Sequence, residues 1–149
     1  MPSTPSRLPV DAPTAEAVRA AFKLEGFFPD FDAESCAKLF PRSGIVHYRA
    51  GEKLMEQGEA GRDLFLLLSG EVVVEVKVDY LSAEAGRLRH GALVGEIALL
   101  ADGVRMATVA CVTPVFAFRL AFEDVGYILK NNPALADHLK ALARARTAR

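Results

Sequence analysis

Residues 95–109 read GEIALLADGVRMATV and combine two opposite charges with a glycine-containing turn. The carboxylate of Glu96 and the guanidinium of Arg105 are separated by a short apolar run, 97–100, and by the turn 101–103. Strand-like sequence lies on both sides of the stretch. We expect a one-turn helix followed by a loop, with both charged side chains facing a shared space.

The groups in this stretch suit an anion that is joined to a sugar. A helix N-terminus presents unpaired backbone N–H groups to an anion, and the planar fork of donors on Arg105 fits a phosphate. Glu96 can accept hydrogen bonds from sugar hydroxyls. These parts indicate a ligand with phosphate and ribose. The alternative is that Glu96 and Arg105 pair with each other as a structural ion pair.

Residues 44–120 contain short β-prone runs separated by glycine-containing turns. The runs are 45–48, 53–56, 64–68, 71–78, 107–112 and 115–120. Residues 79–90 are polar, and we expect them to form an exposed connection. Many short strands with glycine turns in a small chain favour a closed barrel or a jelly roll over an open sheet.

Helical periodicity flanks this β-rich region on both sides. We expect a disordered leader at 1–13 because it is rich in proline, then a helix capped by Thr14 and a second helix capped by Asp32. After 121, a first helix ends near Asn132, which caps a further helix that starts with Pro133. These patterns predict a single domain over 14–149, with a barrel at about 44–120 and C-terminal helices at about 121–147.

The overall composition is that of a soluble globular protein. Of 149 residues, 51% are hydrophobic and 25% are charged, and the formal net charge is −1. This charge gives no general attraction to nucleic acid or to a membrane surface, and no run has the length of a membrane span. The two cysteines, Cys36 and Cys111, are expected to be free thiols. We therefore expect a cytoplasmic location.

Several motifs in this order resemble the cyclic-nucleotide-binding domain family. The most specific is the phosphate-binding cassette, here VGEIAL at 94–99 and RMATV at 105–109. Supporting matches are AGE at 50–52, QGE at 57–59, GRDLF at 61–65 and LSGE at 68–71. The resemblance covers the chain from about Phe27 to Leu142. It implies a mainly β fold, an eight-stranded jelly-roll barrel of the catabolite-activator type with two N-terminal and two C-terminal helices.

The resemblance also implies a role for each residue of the cassette. Arg105 would bind the cyclic phosphate and Glu96 the ribose 2′-hydroxyl, while Gly95 would let the backbone approach closely. Backbone N–H groups near Ala98 and Met106 would complete the phosphate cradle. The full ligand-binding set that we predict is Gly95, Glu96, Ile97, Ala98, Arg105, Met106 and Ala107.

The resemblance leaves the choice of ligand to a few positions. Met106 stands where relatives that prefer cGMP tend to carry threonine, so we expect cAMP, with cGMP as the other candidate.

In the family the last helix also closes over the base, so Leu135, His138 or Leu139 are candidates for a lid. By themselves these leucines indicate core packing.

These features predict a regulatory sensor that transmits binding through movement of its C-terminal helices, not an enzyme. His47, His90 and His138 are scattered and lack the spacing of metal ligands, which disfavours a cupin-like metalloenzyme, so we expect no metal and no cofactor. We expect a protein effector of unknown identity and no binding of nucleic acid by this chain, and a homodimer stays open. The alternatives are a ligand-free interaction module and the sensory fragment of a larger regulator, channel or kinase subunit.

Overall fold

A computed structural model describes residues 8–95 and 103–147, without the side chains of residues 146 and 147. Within these residues, two helices precede the strands and two follow them, as predicted. The helices are α1 Ala12–Ala21, α2 Ala33–Leu39, α3 Phe122–Asn131 and α4 Pro133–Thr147. The strands are β1 Gly44–Tyr48, β2 Lys53–Met55, β3 Leu64–Ser69, β4 Val72–Val78, β5 Leu81–Leu88, β6 Leu93–Val94, β7 Thr108–Cys111 and β8 Val115–Leu120.

In the part of the chain that the structure describes, eight strands form two antiparallel four-stranded sheets, in the orders β1-β8-β3-β6 and β2-β7-β4-β5. The expected count of eight is therefore confirmed, and it is consistent with a jelly roll. The prediction of a closed barrel is wrong, because within the described residues the two sheets are not hydrogen-bonded into one ring. Instead, strands of both sheets contribute side chains to one buried apolar cluster, as in a sandwich of two sheets.

Strand β3 explains why the helices pack where they do. Its sequence places Leu64 and Leu66 on one face and Phe65 and Leu67 on the other, and all four are buried. Side chains of a strand alternate between its faces, so a strand buried on both sides needs a covering layer on each. Phe65 and Leu67 belong to the cluster between the sheets, whereas Leu64 and Leu66 belong to a second cluster shared with the helices.

Residues 81–88 form a strand, although the sequence predicted an exposed connection there. Strand β5 pairs with β4 from Val72 opposite Leu88 to Val78 opposite Leu81, with one register shift between Val74 and Glu75. The strand lies at the edge of its sheet and is largely exposed. An edge strand with little buried surface does not need the apolar alternation by which strands are recognised in a sequence.

The N-terminal helix starts earlier than predicted. Its cap is Asp11, whose carboxylate accepts a hydrogen bond from the backbone N–H of Thr14 at 2.9 Å, so Thr14 lies inside α1 and is not the cap. Residues 8–13, which we assigned to a disordered leader, include this start and a β-bridge between Leu8 and Ile45. Residues 1–7 lie outside the described part of the chain.

The other predicted caps are confirmed. Asp32 accepts from the N–H of Ser35 at 2.8 Å at the start of α2, and Asn132 accepts from the N–H of Leu135 at 3.2 Å at the start of α4. The bounds of the single domain, 14–149, stay a prediction.

Candidate functional site

The described residues of the predicted ligand-binding set lie around one cavity. Gly95, Arg105, Met106 and Ala107 all line a cavity of about 170 Å³ against the β2-β7-β4-β5 sheet. Glu96, Ile97 and Ala98 fall in 96–102, outside the described residues. The structure therefore brings four of the seven predicted residues together and leaves the roles of the other three as predictions.

Backbone pairing fixes the position of Arg105. Its N–H donates to the carbonyl of Glu59 and its carbonyl accepts from the N–H of Gly58, both at 2.9 Å. Two residues earlier, the carbonyl of Gly103 accepts from the N–H of Gly61 at 2.8 Å. These bonds pair residues 103–105 antiparallel to the 58–61 loop. The loop therefore fixes the position of the Arg105 backbone, from which the side chain extends.

The guanidinium of Arg105 lies between two glycines. A Cβ on Gly61 would come within 2.8 Å of Nε, and a Cβ on Gly95 would come within 2.9 Å of Nη1. Such contacts are too close for real side chains. Gly95 also has a φ of +87°, a left-handed conformation that glycine adopts without steric cost. The absence of a side chain at both positions makes room for the guanidinium beside the cavity.

Arg105 is buried and only partly satisfied within the described part of the chain. It is 8% exposed, and Nη2 donates to the backbone carbonyl of Asp63 at 2.9 Å. Its Nε is buried and has no hydrogen-bond partner among the described residues. Burial lowers the pKa of the guanidinium, while the nearby charges of Asp63 and Glu59 raise it. A buried cation with an unpaired donor is costly unless an anion satisfies it.

Among the described residues, the rest of the cavity wall is apolar. It consists of side chains from strands β2, β4, β5, β6 and β7, together with the residue before Arg105: Met55, Val74, Leu88, Leu93, Val94, Val109 and Val104. Met106 lies at the mouth and is 64% exposed. The site therefore combines one buried cationic donor group with an apolar surface, which suits an anion attached to a larger, weakly polar group.

The sequence did not identify two residues that shape this site. Gly61 and Asp63 belong to the GRDLF motif, but the motif indicated family membership without a role for either residue. The only feature in the sequence that could have identified them is a glycine and an acidic residue just before a strand. Only the folded chain shows that both touch Arg105.

The lid candidates do not reach the cavity in this structure. Leu135 and Leu139 are buried in the cluster that α4 forms with α1, α3 and β3. Nε2 of His138 lies 2.9 Å from the carbonyl of Phe22, and its ring packs against Phe27. In this conformation α4 is thus docked on the N-terminal helical region, and its apolar face serves as core.

Two further features bear on the class of site. Among the residues that the structure describes, no group of three or more His, Cys, Asp or Glu side chains is arranged to hold a metal ion. Within the same residues, no helix has the length and apolar character needed to cross a membrane.

Comparison with known proteins connects this geometry to a family. The cAMP-dependent protein kinase regulatory subunit of Mucor circinelloides f. lusitanicus is 33% identical over 64 residues, which are 43% of this chain and 15% of that protein. The cGMP-dependent protein kinase egl-4 of Caenorhabditis briggsae is 29% identical over 100 residues, 67% of this chain and 13% of that protein. The chain thus matches only a small part of the length of either relative.

A solved structure agrees with the fold over nearly the whole chain. The crystal structure of a cyclic nucleotide-binding domain from Methylobacillus flagellatus superimposes with a TM-score of 0.76 at 22% identity, and the match covers 96% of this chain and 83% of that one. The family model described as the cyclic nucleotide-binding domain matches residues 45–132. This segment contains both sheets and the buried arginine, and the chain therefore belongs to the cyclic nucleotide-binding domain family.

Proposed function

We propose that the cavity beside Arg105 binds the cyclic phosphate of a nucleotide and that the apolar wall packs against the rest of the ligand. The observation that carries this proposal is the buried Arg105, whose Nε has no hydrogen-bond partner within the described part of the chain and which is flanked by two glycines. A phosphate oxygen would satisfy that donor and neutralise the buried charge. Glu96 would hold the ribose 2′-hydroxyl, and the backbone near Ala98 and Met106 would complete the phosphate cradle.

We propose that the preferred ligand is cAMP. Met106 supplies a thioether, which is only a weak acceptor, where a threonine hydroxyl would favour guanine, so the side chain at that position lacks the hydroxyl that would bind cGMP. The relatives include both a cAMP-dependent and a cGMP-dependent kinase protein, so membership of the family leaves both nucleotides as candidates. The proposal rests on Met106.

Calorimetric titration with cAMP and with cGMP tests both proposals. A ligand of about twenty-two heavy atoms at about −0.3 kcal/mol per atom gives roughly −7 kcal/mol, which corresponds to a Kd of the order of 10 µM. We expect cAMP to bind in this range and cGMP to bind more weakly. Tighter binding of cGMP would overturn the selectivity. If titration with neither nucleotide gives a heat of binding, the proposed site is wrong and a ligand-free interaction module is favoured.

For the wider function, the proposal is a regulatory sensor whose C-terminal helices respond to the ligand. It would act in the cytoplasm on a protein effector, without catalysis, cofactor or bound nucleic acid. A second candidate is that the chain is the sensory part of a larger regulator, because its matches make up only 15% and 13% of two kinase proteins. Mass spectrometry of the native protein distinguishes the two, since a mass well above that of 149 residues would favour the larger regulator.

A further inference from the structure

The cavity beside Arg105 is lined by two of the three methionines of the chain, and the two differ in exposure. Met55 lies in the wall and is 5% exposed, whereas Met106 lies at the mouth and is 64% exposed. The Cε of Met55 is packed so closely that a Cβ on Gly95 would come within 3.1 Å of it. The third methionine, Met1, lies outside the described residues. A dissolved reagent therefore reaches the sulfur of Met106 far more easily than that of Met55.

An exposed thioether is a target for oxidants of the peroxide class. Hydrogen peroxide converts it to a sulfoxide: a bond forms between the sulfur and one peroxide oxygen, the O–O bond breaks, and the other oxygen leaves as water with both protons. The sulfur gives up an electron pair and is oxidised, and the peroxide accepts the pair and is reduced. The product is a polar side chain with an acceptor oxygen in place of an apolar one.

The two cysteines are poor competitors for the same oxidant. Peroxide reacts with the thiolate and not with the thiol, and both cysteines are buried. Burial raises the pKa of the Cys36 thiol to about 12, and burial together with the charge of Glu52 raises the pKa of Cys111 to about 11. Both therefore stay protonated near neutral pH. Among the sulfur atoms that the structure describes, that of Met106 is the one open to oxidation.

We propose that Met106 is an oxidation site and that its sulfoxide shifts the preference of the cavity from cAMP toward cGMP. This inference rests on the function proposed above, in which the side chain at position 106 meets the base of the nucleotide. The thioether is only a weak acceptor, whereas the sulfoxide oxygen is a strong one. Guanine carries an N2 amino group that adenine lacks, and this group can donate to the sulfoxide oxygen. Oxidation thus supplies the acceptor that the unmodified side chain lacks.

Peptide mass spectrometry after a timed treatment with dilute hydrogen peroxide tests the oxidation site. In the folded chain we expect Met106 to be oxidised about tenfold faster than Met55, or more. In urea-unfolded chain the two rates should be similar, because the difference comes from burial. Equal rates in the folded chain would overturn the assignment of the site.

Calorimetric titration of the oxidised and the untreated chain with cAMP and with cGMP tests the consequence. We expect the ratio of the Kd for cAMP to the Kd for cGMP to rise about fivefold on oxidation, which is the typical effect of one hydrogen bond. Methionine sulfoxide reductases with dithiothreitol remove the oxygen as water while the dithiol becomes a disulfide, and this treatment should restore the original ratio. An unchanged ratio in a chain with fully oxidised Met106 would overturn the proposal.

Met106→Leu is the matched control, because leucine keeps an apolar side chain of similar volume and has no sulfur to oxidise. Peroxide should not alter the Kd ratio of this variant, whatever the value of that ratio is. Met55→Leu should keep the full response to peroxide. A response of Met106→Leu equal to that of the unaltered chain would place the effect at another residue and overturn the proposal.

The two measurements separate this inference from the proposed function. Oxidation rates are read without nucleotide, so they decide the oxidation site whether or not the chain binds cAMP or cGMP. If neither nucleotide binds, the proposed function is wrong and the shift in preference is overturned with it. If both bind and the ratio does not change on oxidation, the proposed function stands and this inference alone is wrong.

Discussion

Gly61 matters for the site because it has no side chain to displace the guanidinium of Arg105. In Gly61→Ala the new methyl group would lie 2.8 Å from Nε of Arg105, and the flexible end of the arginine would move away. The fold should tolerate this change, but the guanidinium would leave its position beside the cavity. We expect cAMP affinity to fall about tenfold or more, equivalent to about 1.4 kcal/mol, in calorimetric titration.

Gly26→Ala is the control for this change, because a Cβ on Gly26 meets nothing within 4 Å. It should bind cAMP as the unaltered chain does. Unchanged affinity in Gly61→Ala would show that the guanidinium does not need its present position.

At the residue scale, the sequence predicted the charged group and its motif better than the space around them. Arg105 and Gly95 were predicted from their motif, and both line the cavity. The role of Gly61 was not predictable, because its closeness to Arg105 depends on the pairing of two segments far apart in the chain. The carbonyl of Asp63 is a backbone group, which no side-chain pattern reports.

At the scale of elements, a buried polar cluster holds α3 against the start of β1. The hydroxyl of Ser43 donates to the carboxylate of Asp124 at 2.6 Å and accepts from the N–H of Ala121 at 2.9 Å. Ser43→Ala would leave both groups without this partner in a buried position. We expect the free energy of unfolding to fall by about 1–3 kcal/mol, as measured by urea denaturation.

The exposed Ser82 on β5 provides the comparison for Ser43. Ser82→Ala should change the free energy of unfolding by less than about 0.5 kcal/mol. Equal effects of the two substitutions would contradict the role given to the buried cluster.

Elements with strong periodicity or a capping residue were predictable, although the cap of α1 was misplaced, and weakly patterned elements were not predicted. The caps Asp32 and Asn132 stand where the sequence placed them. Strand β5 was missed because its exposed, edge position imposes no apolar alternation. The choice between a closed barrel and two sheets depends on which strand edges pair, and the sequence of an individual strand carries little information on that.

At the scale of the whole molecule, ligand binding should appear as a gain in stability. A ligand at one hundred times its Kd stabilises the folded state by about 2.7 kcal/mol, which for a chain of 149 residues raises Tm by several degrees, roughly 3 °C per kcal/mol. We expect this increase with cAMP in a thermal-unfolding experiment. Adenosine, which lacks the phosphate, should have little effect at the same concentration. An equal increase with adenosine would contradict a site centred on the arginine.

The central claim is that Arg105 binds the phosphate of a cyclic nucleotide, and calorimetric titration of Arg105→Ala with cAMP tests it most directly. Loss of this buried, charged partner should cost on the order of 2–5 kcal/mol, so affinity should fall at least about thirtyfold. Arg49→Ala, which removes an exposed arginine, should leave the affinity unchanged. An unaltered Kd in a folded Arg105→Ala variant would contradict the claim.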